Sequence, residues 1–371
     1  TPLTSSAASD VYKRQLNGRP GGLESLSDED IFRAVERLHL RAEGSYSVVA
    51  LITGWGIVAF RDPNGIRPLS MGSRVVNGFT ERVFASESVV CDTLGFNHDG
   101  DVSPGEAIVV RMDGALSAKQ CSRDVLHSPC IFEHVYFARP DSVLDGVSVH
   151  SSRIKMGAFL AERISKEFPD HGIESVIAVP DSGRIAALEL ARVLGVPYKE
   201  GFVKNRYIGR TFIMPGQNVR KDSVRKKLNA IEQEFSDKIV LIVDDSVVRG
   251  NTSRRIVAMA REAGAKKVYF ASCSPPIVHP NVYGIDMPAK SEYVAHGRTI
   301  SEISDAIGAD WMIYQNLDDL VRACKGDMET DFSNFDCSCF DGIYVTGGIT
   351  DEYLDRIERI RSDEAKRSAS I

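Results

Sequence analysis

The stretch "IVLIVDDSVVRGNTS", residues 239 to 253, decides how the rest of the chain is read. Five apolar residues, Ile239 to Val243, form a continuous run rather than an alternating one, which marks a strand buried on both faces. Two adjacent aspartates, Asp244 and Asp245, close that run. Neighbouring carboxylates repel each other and resist burial, so they require a cation or a polyol that donates hydrogen bonds. Gly250 lets the backbone turn, and the helix-forming "SRRIVAMAREA" follows. Successive amides at a helix start attract an anion, with Asn251, Thr252 and Ser253 adding side-chain donors. A phosphorylated sugar satisfies both halves. A solvated turn with an ordinary helix cap is the plainer alternative for an isolated Asp-Asp-Ser.

Working outward, residues 150 onward alternate strand and helix. "GAFLAERISKEF" is helical, "SVIAVPDSG" is strand then loop, and "IAALELARVLG" is helical. "KIVLIVDDS", "TSRRIVAMAREAGA" and "KKVYFASCS" repeat the rhythm. The pattern predicts α/β architecture with an open parallel sheet, whose ligands bind beyond the carboxyl ends of the strands. Both "VPDSG" and "VDDSVVRGNTS" fall at that edge. Residues from about 28 to 125 read differently. One amphipathic helix, "DEDIFRAVERLHLRA", precedes short apolar runs such as "YSVVALIT", "WGIVAF", "RVFASES" and "EAIVVRMDG". Asn64-Gly65 and Asp113-Gly114 are turn signals within this β-rich region.

The chain has 371 residues, enough for two domains. A formal net charge of -6 argues against nucleic-acid and anionic-membrane partners. No apolar run reaches the roughly 20 residues that span a bilayer. Seven scattered cysteines suit a reducing, cytoplasmic setting. The first residues, "TPLTSSAASDVYKRQ", carry no periodicity and read as a disordered or non-native tail.

The run at 239–253 resembles the signature of type I phosphoribosyltransferases, which bind 5-phosphoribosyl 1-pyrophosphate (PRPP). Further stretches extend the likeness to the amidophosphoribosyltransferase family: "CIFEHVYFARPDS", "GFVKNRYIGRTFIMPGQ", "DPNGIRPL", "SES" and "NVYGIDMP". The resemblance runs from about residue 25 to residue 371. It implies transfer of glutamine-derived ammonia to PRPP, giving 5-phosphoribosylamine and pyrophosphate at the first step of de novo purine synthesis. It implies a tail over 1–22, the later part of a glutaminase-type domain over 23–128, and a phosphoribosyltransferase domain with a carboxy-terminal helical extension over 129–371. Family members use an amino-terminal cysteine as glutaminase nucleophile; here residue 1 is Thr and the first cysteine is Cys91. The expectation is therefore an amino-terminally truncated chain without glutaminase activity.

The resemblance also assigns roles. Asp244 and Asp245 hold the ribose hydroxyls and, with Ser182, the Mg²⁺ ion. Asp181 lies beside Ser182, and Ser246 beside the aspartates, as further PRPP contacts. Arg249, Gly250, Asn251 and Thr252 surround the 5-phosphate. Residues 204–227 carry eight Lys or Arg against one acidic residue, with Tyr207, Phe212, Ile213 and Met214 among them. Such a mixture suits a lid over an anion, and Lys204, Arg206 and Arg210 are the candidates to meet the pyrophosphate leaving group. Phe132, Tyr136, Tyr207, Thr211, Phe212 and Ile213 match positions that line an ammonia channel. Without the family, Phe132 and Tyr136 read as core aromatics. Some relatives hold an iron–sulfur cluster on four cysteines. Cys130 matches one such position, Asn281 stands at the second, and Cys337-Ser-Cys339 replaces the spacing of the last two, so no cluster is expected. The other thiols read as buried or incidental. Purine nucleotides as feedback inhibitors and a homotetramer complete what the resemblance implies. Two rival readings remain: a purine-base salvage phosphoribosyltransferase, and a non-catalytic PRPP-sensing regulator.

Overall fold

A computed structural model describes residues 26–204, 228–325 and 334–361. Helix α1 (Asp28–His39) starts on a capping box between Ser27 and Asp30 and turns Ile31, Phe32, Ala34 and Val35 inward. Those residues pack on a four-stranded antiparallel sheet made of β1 (Ser47–Ile52), β2 (Gly56–Arg61), β6 (Glu106–Arg111) and β7 (Leu116–Gln120). A three-stranded sheet of β3 (Ser70–Val76), β4 (Phe79–Ala85) and β5 (Asn97–Asp101) lies nearby, with the short helix α2 (Val89–Leu94) between β4 and β5. Strand β2 is buried on both faces: Val58 and Phe60 meet the α1 side, and Ala59 joins Leu69, Val102 and Ile108 on the other.

Turn chemistry sets the hairpins. Gly114, at φ 86°, turns β6 into β7 within the Asp113-Gly114 pair. The two-residue connection between β3 and β4 is Asn77-Gly78, with φ 51° and 82°, both in the left-handed region that this turn demands. Asn64-Gly65 serves a different purpose. There Asp62 Oδ1 accepts from the amides of Asn64 and Ile66 at 3.0 and 3.1 Å, pinning an irregular loop.

The second unit opens with a π-helical turn (Glu133–Phe137) and a two-stranded hairpin, β8 (Val143–Leu144) and β9 (Val147–Ser148). It continues through α3 (Val149–Glu167), β10 (Ser175–Ala178), α4 (Arg184–Leu194) and β11 (Tyr198–Lys199). After β12 (Phe202–Lys204) come β13 (Leu228–Ala230), α5 (Glu232–Phe235), β14 (Ile239–Asp244), α6 (Asn251–Glu262) and β15 (Lys267–Ser272). The described chain ends with α7 (Ile300–Ile307), β16 (Trp311–Tyr314), α8 (Leu317–Lys325), α9 (Ser338–Asp341) and α10 (Asp351–Arg361). Five parallel strands stand in the order β11-β10-β14-β15-β16. Alternate residues point to opposite faces. Leu241, Val243 and Ala271 meet α3, α4 and α8, whereas Val240, Ile242 and Phe270 meet α6 and α7. Both faces are covered, which is why the strands read as unbroken apolar runs.

Buried ion pairs tie the two units. Arg61, at 0% exposure, grips Asp145 with two bonds of 2.6 and 2.8 Å, and His127 approaches the same carboxylate at 3.4 Å. Burial alone would raise the Asp145 pKa, but Arg61 and His127 outweigh it and hold it below the usual carboxylate range. Glu87 accepts from the Arg139 amide and the Ser142 hydroxyl, both at 2.7 Å.

Removing one partner of a buried pair strands the other charge, so Arg61→Met is expected to cost about 3–5 kcal/mol, read as a fall in denaturation midpoint. A depressed carboxylate pKa contributes stability above its unfolded value. The Asp145 contribution is therefore present at neutral pH and disappears only as the solution is acidified through its folded pKa, below the ordinary carboxylate range. A wild-type acid-denaturation curve whose lowest-pH limb is unchanged by Asp145→Asn would contradict this.

Candidate functional site

Strands β10 and β14 are neighbours at the centre of the sheet, paired from Ser175–Val240 to Ala178–Val243. The chain leaves β10 for β11 on one side and leaves β14 for β15 on the other. Their carboxyl-end loops consequently diverge and open a crevice, the place where open α/β sheets bind ligands. The Val179 amide donates to the Val243 carbonyl at 2.8 Å, drawing the two loop starts together. Gly183 completes the approach: a Cβ there would stand 2.5 Å from the Val243 carbonyl oxygen.

Asp244 is the last residue of β14, and Asp245 follows it. Both are buried, at 7% exposure each. Asp244 Oδ1 accepts from the Asp245 amide at 2.9 Å, and Asp245 Oδ1 accepts from the Ser246 hydroxyl at 2.5 Å. Burial, followed by repulsion from Asp245, pushes the Asp244 pKa up. Asp245 is also raised by burial, against the Ser182 and Ser246 hydroxyls and the positive charge of Arg153. The sequence-derived residues Ser182, Asp244, Asp245 and Ser246 thus meet in one cluster. Asp181 stands at its exposed rim, where its Oδ2 receives Lys204 Nζ at 2.6 Å.

Past the carboxylates, Gly250 adopts φ 70° and begins α6. The Arg254 amide reaches the Gly250 carbonyl at 2.8 Å as the first helical bond. The amides of Asn251, Thr252 and Ser253 precede it and have no intrahelical acceptor, the arrangement that suits an anion. Arg249 flanks the loop, and its Nη2 lies 2.8 Å from Glu292 Oε2.

The other assignments fare differently. Phe132 is buried, with its ring 5.6 Å from Phe137 and 6.0 Å from Phe340, whereas Tyr136 is exposed. Arg206, Tyr207, Arg210, Thr211, Phe212 and Ile213 lie outside the described residues. All seven cysteines are buried free thiols. Asn281 uses its side-chain oxygen to accept from the Tyr283 and Ile285 amides at 2.8 and 3.1 Å. Among the described residues no group of three or more His, Cys, Asp or Glu side chains could hold a metal on protein ligands alone.

Three residues at the site carry no sequence signal strong enough to single them out. Gly183 follows "VPDS", where a glycine reads as an ordinary loop residue. Arg153 occupies the interior of α3 at 4% exposure, donating Nε to the His134 carbonyl at 3.0 Å and Nη2 to the Ala138 carbonyl at 2.8 Å. Glu292 sits 43 residues beyond Arg249 in sequence and meets it only in the fold. Because the Gly183 position faces rigid backbone, Gly183→Ala is expected to cost about 1–3 kcal/mol and to part the loops, measured as a lower melting temperature together with weaker PRPP binding. Wild-type values for both would show that the loops do not need this approach.

Comparison with known proteins agrees with this geometry. The phosphoribosyl transferase domain family matches residues 149–274, which contain the crevice. An amidophosphoribosyltransferase of Pseudomonas aeruginosa is 56% identical over 340 residues, covering 92% of this chain and 68% of that protein. The Escherichia coli amidophosphoribosyltransferase is 53% identical over 342 residues, with the same shares, 92% and 68%. Among solved structures, the glutamine PRPP amidotransferase of B. subtilis complexed with ADP and GMP aligns with a TM-score of 0.73 at 35% identity, over 93% of this chain and 76% of that one. A structure described as the allosteric regulatory enzyme of purine biosynthesis aligns with a TM-score of 0.77 at 34% identity, over 95% and 76%. These likenesses span the β-rich unit as well as the parallel sheet, and the chain belongs to the amidophosphoribosyltransferase family.

Proposed function

We propose that PRPP lies across the crevice between β10 and β14, with its ribose at Asp244 and Asp245 and its 5-phosphate at the start of α6. The reaction is amination of PRPP to 5-phosphoribosylamine and pyrophosphate in purine synthesis. The observation that carries the site assignment is the pairing of two buried, mutually repelling carboxylates with an adjacent run of unpaired helix amides. Each half suits a different part of one ligand. The ribose hydroxyls donate to the carboxylates, and Arg249, Gly250, Asn251 and Thr252 enclose the phosphate.

The nitrogen lone pair of ammonia forms the new bond at C1 of the ribose as the bond to pyrophosphate breaks. That bond's electron pair leaves on the pyrophosphate oxygen, and the nitrogen then sheds a proton. Lys204, already at the crevice rim, stands to exchange Asp181 for the departing pyrophosphate, with Arg206 and Arg210 behind it. Asp244, Asp245 and the Ser182 hydroxyl are hard oxygen donors suited to Mg²⁺, an ion that binds through one or two carboxylates plus substrate oxygens rather than a full protein cage. Mg²⁺, when bound, neutralises the charge that builds on the pyrophosphate. The Asp181–Ser182 loop and the Asp pair hold the ribose still, and residues 204–220 cover C1 against water.

The same reading divides the chain into a partial glutaminase-type unit over 23–128 and a phosphoribosyltransferase unit over 129–371. It makes Phe132 and Tyr136 part of the ammonia path, joined by Tyr207, Thr211, Phe212 and Ile213. Feedback by purine nucleotides accompanies it, supported by the B. subtilis relative described with ADP and GMP, and assembly into a homotetramer is part of the same reading. No helix among the described residues is long and apolar enough to cross a membrane.

The test is pyrophosphate release from PRPP with ammonium chloride as nitrogen donor. Asp244→Asn or Asp245→Asn is expected to lower kcat/KM by roughly 30-fold or more, equivalent to about 2 kcal/mol of lost transition-state stabilisation. Undiminished turnover in both variants would remove the ribose from this crevice. Release that depends on a purine base instead of ammonia would favour a salvage transferase.

A further inference from the structure

Glu292 belongs to a one-turn 3₁₀ helix (Lys290–Glu292) that is distant in sequence from every residue so far assigned to PRPP. In the fold it is fixed against the phosphate loop by three separate contacts. Its Oε2 lies 2.8 Å from Arg249 Nη2. Two residues on, the Val294 amide donates to the Val248 carbonyl at 2.9 Å. The Val294 side chain also fills the space over Gly250, where an added Cβ would come within 2.9 Å of Val294 Cγ2. The segment is therefore a fixed wall of the loop.

The ion pair itself is incomplete. Only one contact joins the two groups, although an arginine and a carboxylate can meet through two parallel bonds. Arg249 Nε and Glu292 Oε1 are both buried without a hydrogen-bond partner. A buried donor left unmade is costly, and a guanidinium that gives one Nη2 contact to a carboxylate keeps further N–H donors for an anion. Arg249 directly precedes Gly250 and the unpaired amides at the α6 start, so its remaining donors belong to the same loop as a phosphate seated there.

We propose that Glu292 is a positioning residue for PRPP, holding the Arg249 guanidinium so that its unused donors face the 5-phosphate. The inference rests on the assignment of residues 249–252 to that phosphate. Glu292 touches no reacting atom and acts through Arg249 alone. Because the 5-phosphate is bound equally in ground state and transition state, loss of its positioning affects KM for PRPP and leaves kcat nearly unchanged. The carboxylate stays paired when PRPP binds. A gate that had to open would give the opposite sign, since removing it would tighten binding.

The experiment compares KM and kcat for PRPP in the full chain, with ammonium chloride as donor, for Glu292→Gln, Glu292→Asp, Arg249→Met, Thr252→Val and the double variant Arg249→Met/Glu292→Gln. Glu292→Gln is expected to raise KM on the order of tenfold, the loss commonly seen when a residue that orients a ligand-binding group is removed. Glu292→Asp should recover part of the loss. In the Arg249→Met background, Glu292→Gln should add nothing further, because the residue through which it acts is gone. Circular dichroism melting of each variant separates this pattern from simple destabilisation. An unchanged or lowered KM in Glu292→Gln, or full additivity in the double variant, overturns the proposal while a raised KM in Thr252→Val leaves the phosphate assignment standing. If Thr252→Val and Arg249→Met both leave KM unchanged, the phosphate assignment itself has failed.

Discussion

Everything at the site follows from desolvating two adjacent carboxylates. Asp244 and Asp245 end a strand that is buried on both faces, so neither side chain can swing into bulk water. Burial raises the energy of both charged forms and Asp245 adds its repulsion at Asp244, and the fold answers only in part, with an amide, two hydroxyls and the field of Arg153. What remains unsatisfied is the capacity to bind. A ligand with neighbouring hydroxyls, or a divalent cation, recovers free energy that folding left stored. The surrounding features serve that pair. The Val179–Val243 bond and the bare Gly183 backbone close the opposite wall upon it, and the strand order sends the two loops apart so that a sugar fits between them.

The second constraint is electrostatic separation along one short path. Over six residues from Asp245 to Gly250 the backbone passes from an acidic cluster to an amide-rich helix start. The loop between them is short, and it turns back by placing Gly250 in the left-handed region. Such a path discriminates chemically. A simple dianion is repelled at one end, and a neutral polyol finds nothing at the other. A sugar phosphate carries both characters, as the proposed site requires.

How much of this was legible in the sequence depends on the range of the interaction that fixes each part. The β10 and β14 strands, the αβ alternation and the Asp-Asp-loop-helix run are local, and "SVIAVPDSG" and "KIVLIVDDS" announce them through unbroken apolar runs and small residues. Helix boundaries shifted because the first turn of a helix is set by capping and packing. Thus α3 begins at Val149, ahead of "GAFLAERISKEF", and α6 at Asn251. Strands β5 and β7, "NHDGD" and "LSAKQ", lack an apolar run because none of their side chains is buried. Asn77-Gly78, a turn signal as good as Asn64-Gly65, was passed over in the sequence yet forms a two-residue hairpin connection. Arg153 and Glu292 were not legible. Their partners lie in other elements, and a charged residue on a helix or in a loop reads as solvated until the fold buries it.

The junction between the two units uses arginine for a reason that goes beyond charge. Arg61 donates not only to Asp145 but also to the carbonyls of Arg67, Val102 and Gly65, at 2.7, 3.1 and 2.7 Å. Arg67 reaches Glu133 at 2.7 Å and holds the Tyr283 carbonyl through two nitrogens. Arg153, on the far side of the π-helical turn, holds the carbonyls of His134 and Ala138. A planar five-donor fork is the side chain able to serve several carbonyls at once, whether in the β-rich unit, at Tyr283 or in the turn after Glu133. A lysine, with its single compact ammonium, could neutralise Asp145 but could not also reach three carbonyls in different directions. The same segment leads straight into α3, whose Arg153 faces Asp245.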